Sequence, residues 1–251
     1  MKILAALVGI GLVLLAGPAL AQTLTLDFGG LGATGAGPAA GASVATRTAQ
    51  LLILITVLGL VPGLAVTVTC FPFIVTVLSI LRQAIGLQQA PPNLLMVSLA
   101  LFLTWFVMEP VFQQSWAQGV EPLNQGRIEL AEAIPAMAEP FRGFMAARVN
   151  PDTFATLAAL RPGATAPVAK APYSILVPAF MLSEISRAFQ IGFLIFLPFL
   201  IIDLVVSAVL MAMGMMMVPP AIVSLPFKLA FFVAADGWAL LSSALVRGYL
   251  G

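Results

Sequence analysis

The stretch from Ser183 to Lys228 constrains the fold most, because its middle is apolar enough to lie in lipid while charged residues interrupt it. The charged residues within or beside this apolar run are Glu184, Arg187, Asp203 and Lys228. A buried charge is costly unless it is paired, so each of these side chains is expected to find a partner. A methionine-rich turn, residues 211–217, joins the two arms of the predicted hairpin.

Composition places the whole chain among membrane proteins. Of its residues 61% are hydrophobic and 8% are charged, whereas soluble domains carry about a quarter charged residues. The net charge of +1 provides no basic surface for nucleic acid. There is no histidine and one cysteine, Cys70, so an intrachain disulfide and histidine-dependent catalysis are excluded and a cofactor or zinc site is not expected. Cys70 lies in an apolar run and is interpreted as a small buried hydrophobe.

Residues 1–21 have the pattern of a signal peptide. Lys2 is followed by an apolar core over 3–16, a Gly-Pro break and the small-x-small sequence Ala19-Leu20-Ala21. We expect cleavage after Ala21, which would place the mature N-terminus on the outer face of a bacterial inner membrane. An uncleaved first span is the alternative. Residues 22–49 are rich in small and polar residues and are predicted to form a disordered leader.

Residues 50–112 are predicted to form a first apolar helical hairpin. Its first arm, residues 50–82, contains Gly59, Pro62, Gly63 and Pro72, so this arm should be kinked or split. A polar turn at residues 88–93 separates it from the second arm, residues 94–112, which is long enough to span a bilayer.

Residues 113–172 differ sharply in composition, because nearly half of all the charged residues lie there. We interpret this region as a soluble helical insert with no catalytic constellation. Asn150 and Pro151 have the pattern of an N-cap followed by proline in the first turn, which predicts a short helix ending near Arg161. Residues 126–138 and 140–149 are predicted to form two further amphipathic helices.

Residues 173–251 are predicted to form a second apolar hairpin, with Pro178 and Pro198 as kinks. Across its turn, Lys228 falls about one helical turn from Asp203, so a buried ion pair is expected. Glu184 and Arg187 are spaced i, i+3 and can pair locally. Lys228 and Asp236 share a helical face as well. The predicted fold is therefore all-α: membrane-associated hairpins with kinked helices and a helical soluble insert.

Three functions are compatible with these buried charges. They could join subunits around a central channel. They could serve an intramembrane protease, with Asp203 and Asp236 as a carboxylate dyad or Ser224 and Lys228 as a serine–lysine pair. They could also relay protons or ions through Glu184, Asp203 and Asp236. Spacing alone does not separate these alternatives.

The methionines of the turn bear on the kind of channel. Met213, Met215, Met216 and Met217 could be ordinary core packing at helical spacing. Brought together from several subunits, they could instead form a deformable apolar plug that excludes water and ions yet parts around a large object. An ion-selective filter would use carbonyls or fixed charges at its constriction. A soft seal favours a conduit for polypeptide.

Several long motifs in order resemble the FliP family of flagellar biosynthetic proteins, components of the type III export apparatus that include virulence homologues such as SctR. The segments that carry the resemblance are Arg82–Gly86, Ala90–Asn93, Ala100–Met108, Phe189–Phe193, Leu197–Val205, Gly214–Pro220, Leu225–Leu229 and Asp236–Trp238. The resemblance extends from about Leu51 to the C-terminus, is weaker through residues 113–172 and does not include the leader.

The resemblance implies a ring-like export gate in the bacterial inner membrane, at the flagellar basal body. FliP-like chains form a pentamer that builds the closed core of the gate with FliQ and FliR, with FlhB associated and FliO assisting assembly. Unfolded flagellar proteins pass through its middle. The methionine loop acts as a gasket, a role that carries over to Met213, Met215, Met216 and Met217. Much of the assembled helical mass is implied to lie above the membrane plane, on the periplasmic side.

Two positions depart from the family pattern. Family members usually carry a basic residue where this chain has Phe73, and a lysine where it has Ser186, with Arg187 next. The leader, Pro91-Pro92 and the segment 102–108 favour a flagellar system. The segments 69–71 and 86–89 look more like those of virulence homologues, so the equivalent virulence subunit is the alternative.

Overall fold

The structure is a computed structural model that describes residues 51–52, 55–56, 59, 63, 66–87, 90–161, 167–215 and 217–250, with only the backbone at position 250. The predicted signal peptide, 1–21, and leader, 22–49, lie outside the described residues. The chain divides into two units, residues 1–55 and 56–251. The elements below belong to the second unit.

The described part of this unit is helical and contains no strand. Its helices from residue 71 onward are α1 Phe71–Ile85, α2 Asn93–Ser115, α3 Glu121–Asn124, α4 Leu130–Arg148, α5 Pro151–Ala159, α6 Tyr173–Ala212, α7 Pro220–Ala234 and α8 Gly237–Leu250. A π-helical segment, Trp116–Val120, joins α2 to α3, and a 3-10 turn, Val168–Lys170, precedes α6. The predicted all-α class is confirmed.

Helix α1 lies at the centre of the main hydrophobic core. Pro72 occupies its first turn, where a missing N–H breaks no helical hydrogen bond, and Gly86 ends it at φ 89°. The buried side chains of α1 are Phe73, Ile74, Val77, Leu78, Leu81, Ala84 and Ile85. They pack with Met96, Ala100, Val107 and Met108 of α2, Ala188 and Phe199 of α6, Phe232 of α7, and Leu241 and Leu245 of α8.

Helix α6 is the longest element and runs for 40 residues. Pro178 and Pro198 lie inside it, and neither ends the helix. It crosses α1 closely at Gly192, where an added Cβ would lie 2.4 Å from Cδ1 of Ile80. Glycine at this position therefore lets the helix that carries Glu184 and Asp203 approach the core.

The insert contains one long helix where the sequence predicted two. Helix α4 continues through Pro140, so the expected separation into residues 126–138 and 140–149 is wrong. The Pro140 side chain is buried, and its packing offsets the hydrogen bond that a proline removes from a helix.

The predicted short helix of the insert is confirmed as α5. Its N-cap is Asn150, whose Oδ1 accepts hydrogen bonds from the backbone N–H groups of Asp152 at 2.8 Å and Thr153 at 3.2 Å. Pro151 occupies the first turn. Packing against the start of α6 forms a second small core that includes Met145, Phe154 and Phe180.

Two helical stretches are long and apolar enough to cross a membrane, by length and composition: Asn93–Asn124 and Tyr173–Ala212. A third is formed if α7 and α8, which are bent by 62° relative to each other, count as one broken span. Helix α1 is apolar but shorter. The hairpin limits 50–112 and 173–251 and the insert limits 113–172 stay predictions.

Candidate functional site

The first charge cluster joins α6 to α7 through Asp203. Its Oδ2 lies 2.6 Å from Nζ of Lys228, and its Oδ1 accepts a 2.6 Å hydrogen bond from Oγ of Ser224. Ser224 and Lys228 are four residues apart and therefore present both donors on one face of α7. The structure thus brings Asp203 and Lys228 together within one chain, at the expected offset.

Lys228 has a second partner that the sequence did not reveal. Its Nζ donates to the carbonyl oxygen of Ala84 at 3.1 Å. Ala84 lies in the last turn of α1, where carbonyls have no partner within the helix and the helix dipole favours a cation. The ammonium group therefore ties α7 to both α6 and the end of α1.

This geometry bears on the protease alternative. A serine–lysine pair needs a lysine that accepts the serine proton, but here Ser224 donates to Asp203 and the Lys228 ammonium is paired with the same carboxylate. Asp236 lies apart, exposed, at the corner between α7 and α8 with φ 47°. Among the described cations none forms an ion pair with Asp236, and it joins neither Asp203 nor Lys228.

The second charge cluster surrounds Glu184, whose side chain is fully buried. Its Oε1 accepts hydrogen bonds from Nη1 of Arg187 and from Nε of Arg148, both at 3.2 Å. Its Oε2 accepts a short hydrogen bond from the hydroxyl of Tyr249. The i, i+3 partner Arg187 was expected. Arg148 and Tyr249, 36 and 65 residues away, were missed, because no local spacing indicates them.

Arg148 extends this cluster to the last turn of α8. Its Nη1 donates to the carbonyl oxygen of Gly248 at 2.6 Å, and its guanidinium lies 3.9 Å from the centroid of the Tyr249 ring. A guanidinium over an aromatic face is attractive, and its planar fork can serve two acceptors at once. The end of α4, the first third of α6 and the end of α8 therefore meet at Glu184.

Phe73 lies beside this cluster. Its ring packs edge-on against Tyr249 with centroids 5.4 Å apart. Nearby Cys70 is fully buried, as predicted, and its Sγ lies 4.0 Å from the carbonyl oxygen of Thr104. Cys70 is outside the candidate spans, and burial raises the pKa of its thiol to about 12. The thiol is therefore protonated and inert at neutral pH.

The methionine turn follows the end of α6. Gly214 has φ 74°, a left-handed conformation that allows the chain to reverse towards α7. Met213, Met215 and Met217 are exposed to 59%, 40% and 97%, whereas Met216 lies outside the described residues. Met213, Met215 and Met217 are therefore not core packing within one chain. An apolar cavity of about 550 Å³ lies beside them between α6 and α7.

Within the described ranges, no cluster of three or more acidic or cysteine side chains is arranged to hold a metal ion. What the two charge clusters can do is hold helices together: each places a carboxylate of α6 between donors from distant segments. Arg187 and Arg148 are 35% and 17% exposed, so the Glu184 cluster reaches the surface on one side.

A family model and individual known proteins match this chain, and they agree on one family. The model of the FliP family matches residues 54–245. A protein of Caulobacter vibrioides named flagellar biosynthetic protein FliP is 50% identical over 212 residues, 83% of this chain and 79% of the relative. Proteins of the same name are 48% identical in Agrobacterium fabrum (210 residues; 82% and 86%) and 43% identical in Bacillus subtilis (205 residues; 81% and 93%).

Proposed function

The chain belongs to the FliP family, and from this premise we propose that it is a core subunit of the flagellar type III protein export gate, through which unfolded flagellar proteins leave the cell. The observation that carries the proposal is the family match over residues 54–245, which includes the ion pairs of both charge clusters and the methionine turn. A subunit of a virulence type III system is the competing assignment.

We propose that several copies form a ring, a pentamer as the family resemblance implies, together with FliQ and FliR and in contact with FlhB and FliO. The large apolar side chains exposed on α6 and α7 support such an assembly, since apolar surface of this extent needs cover by lipid or protein. Among them are Phe189, Phe193, Leu204, Phe227 and Phe231.

The methionine turn is proposed as the gasket of the gate. Met213, Met215 and Met217 project from the end of the α6–α7 pair and are free to meet their equivalents in neighbouring copies. Met216 lies outside the described residues and is included in the proposed gasket because it belongs to the same methionine-rich run of the sequence. Unbranched, soft side chains can seal a pore against water and still deform around a passing chain.

The charge clusters are proposed to act in structure and assembly rather than in catalysis. Glu184, Arg187, Asp203 and Lys228 satisfy one another, and this leaves no nucleophile or base free among them. Asp236, exposed at the corner of α7 and α8, is proposed to face a neighbouring subunit. We place the protein in the bacterial inner membrane at the flagellar basal body, with much of the assembled gate on the periplasmic side.

A clean deletion in the source bacterium tests the proposed function. Loss of motility and of flagellar subunits in the culture medium, both restored by the gene in trans, is the expected result. Intact motility together with loss of effector secretion would assign the chain to a virulence system. The mass of the complex purified through a tag on this chain would then distinguish a lone channel from a mixed assembly.

A further inference from the structure

Helix α8 is attached to the rest of the molecule mainly at its two ends. At its start, the chain turns by 62° through Asp236 and Gly237. Gly237 packs so closely on the Phe232 ring that an added Cβ would lie 2.2 Å from it. A side chain at this position would clash with the Phe232 ring, so the corner requires glycine.

Between these ends α8 is held weakly. Of its described side chains, Leu241 and Leu245 are the buried ones, whereas Leu240 and Trp238 are exposed. Two buried leucines and the partly buried Val246 contribute modest apolar area for a helix of 14 residues. The contacts at its last turn consequently make up a large share of what fixes its position.

The last turn is held by the contacts at Glu184. The Tyr249 hydroxyl donates to Oε2 of Glu184, and Arg148 binds the Gly248 carbonyl and covers the Tyr249 ring. We call this set of contacts the clasp. The carboxylate retains Arg148 and Arg187 on its other oxygen, and neither arginine belongs to α8. Release of α8 would therefore not strand a buried charge.

An apolar cavity of about 310 Å³ lies under α8, between it and α1, α6 and α7. Its walls include Leu81, Ile191, Phe199, Phe231, Leu241 and Leu245. Leu241 and Leu245 of α8 form one wall, so movement of this helix away from the core widens the cavity.

We propose that α8 is a strap, hinged at Asp236–Gly237 and closed by the clasp at Tyr249, whose release widens the apolar cavity beside it. The strap belongs to the single chain and does not depend on the export function. Tyr249 and Arg148 are positioning residues in this device: each acts on α8 through Glu184 or Gly248.

Cys70 can report whether the clasp is open or closed. It is the one cysteine of the chain and has no exposed surface. It directly precedes α1, whose Phe73 packs against Tyr249. A maleimide can reach this thiol only when the surrounding packing opens, so the alkylation rate measures opening.

The test uses the full-length chain purified in mild detergent. Alkylation of Cys70 by N-ethylmaleimide and hydrogen exchange over residues 237–250 are followed by mass spectrometry in the wild type and in Tyr249→Phe. The variant keeps the ring contacts with Phe73 and Phe144 and loses only the hydroxyl. Loss of one hydrogen bond to a buried carboxylate predicts an increase of about tenfold in both rates.

Tyr173→Phe is the matched control. Its ring also lies under an arginine of α4, Arg142, at 4.0 Å, but its hydroxyl bonds the Ala138 carbonyl within the insert. Both rates should stay at wild-type values in this control. Arg148→Lys is the second variant, since it keeps a positive charge beside Glu184 and loses the planar fork. It too should raise both rates.

Three results would overturn the proposal. One is an unchanged Cys70 rate in both Tyr249→Phe and Arg148→Lys. Another is an equal increase in the Tyr173→Phe control, which would indicate general loosening. The third is faster alkylation of Cys70 without faster exchange in α8, because the strap would then not be the element that moves.

Discussion

Lys228 and Asp203 form an ion pair in which the two partners are unequally buried: 8% of the lysine side chain is exposed, compared with 35% of the aspartate side chain. A charge that loses its partner costs more in a buried position than at the surface. The pair should therefore respond asymmetrically to substitution, and removal of the aspartate should be the more damaging change.

Asp203→Ala leaves the buried Lys228 ammonium with the Ala84 carbonyl as its remaining acceptor. We expect a loss of about 3 kcal/mol in the free energy of unfolding, the low end for breaking a buried pair because Asp203 is partly exposed. Lys228→Met should cost less, since the remaining carboxylate keeps the Ser224 donor and reaches solvent. Denaturant titration of the purified chain in detergent measures the free energy of unfolding of both variants.

Asp236→Asn is the matched control for Asp203→Ala, because it replaces an exposed negative charge at the corner of α7 and α8 with a residue that also tolerates φ 47°. The free energy of unfolding of this variant should stay within about 0.5 kcal/mol of the wild-type value. If Asp203→Ala were as mild as this control, the ion pair would not contribute to folding.

Gly192→Ala should weaken the contact between α6 and α1. The new methyl group would lie 2.4 Å from Cδ1 of Ile80 and 3.0 Å from its Cγ2, so either the Ile80 side chain or the helices must shift. Overpacking of this kind costs about 1–3 kcal/mol, partly offset by the better helix propensity of alanine. The free energy of unfolding of the purified chain is the measurement, and Ile80→Ala in the same chain should restore part of the loss.

Gly143→Ala provides the control for Gly192→Ala. Gly143 lies in α4, is exposed, and has open space where a Cβ would be. This substitution should stabilise the chain by up to about 1 kcal/mol through helix propensity alone. A similar gain for Gly192→Ala would contradict the close approach of the two helices.

Asn150→Ala removes the cap of α5. Two backbone N–H groups, those of Asp152 and Thr153, lose their acceptor, which typically costs about 1 kcal/mol. Hydrogen exchange at residues 152–155 should accelerate about fivefold, as expected for that energy. Asn150→Asp keeps the acceptor oxygen, so hydrogen exchange at these residues should be as slow as in the wild type. Equal acceleration in Asn150→Ala and Asn150→Asp would show that the cap does not stabilise α5.

Replacement of Met213, Met215 and Met217 by alanine should make the assembled gate leak, because their exposed side chains are the proposed seal. Passive ion flux across the membrane should rise while export of flagellar subunits continues. The same positions changed to leucine keep most of the apolar volume and should leak less. Wild-type ion permeability in the alanine variant would count against a gasket.

Sequence reasoning succeeded where a property depends on neighbours along the chain. The cap at Asn150 follows from a local pattern, and α5 begins there. The all-α class follows from long apolar runs. The offset between Asp203 and Lys228 could be estimated because one turn joins their helices. In contrast, the predicted division into helices 126–138 and 140–149 is wrong, because a propensity argument does not include the tertiary packing of the buried Pro140 ring.

The contacts that sequence could not provide are long-range. Lys228 meets Ala84, 144 residues away, and Arg148 meets Gly248, 100 residues away. Both involve a backbone carbonyl, which every residue possesses, so no residue type marks the acceptor. Tyr249 likewise carries no pattern that links it to Glu184. Such partners are determined by how the helices pack, and packing is what the three-dimensional structure adds.

The length of α6 has a consequence for how the protein must be produced. Forty helical residues extend about 60 Å, twice the roughly 30 Å of a bilayer's hydrocarbon. Only a tilt near 60° would immerse the whole helix, well beyond the average of about 20° for membrane helices. An upright α6 would therefore extend beyond the hydrocarbon layer and expose apolar side chains there. If the proposed partner subunits cover this part of α6, synthesis of the chain in excess of them should lead to aggregation or proteolysis, so its cellular level should follow theirs.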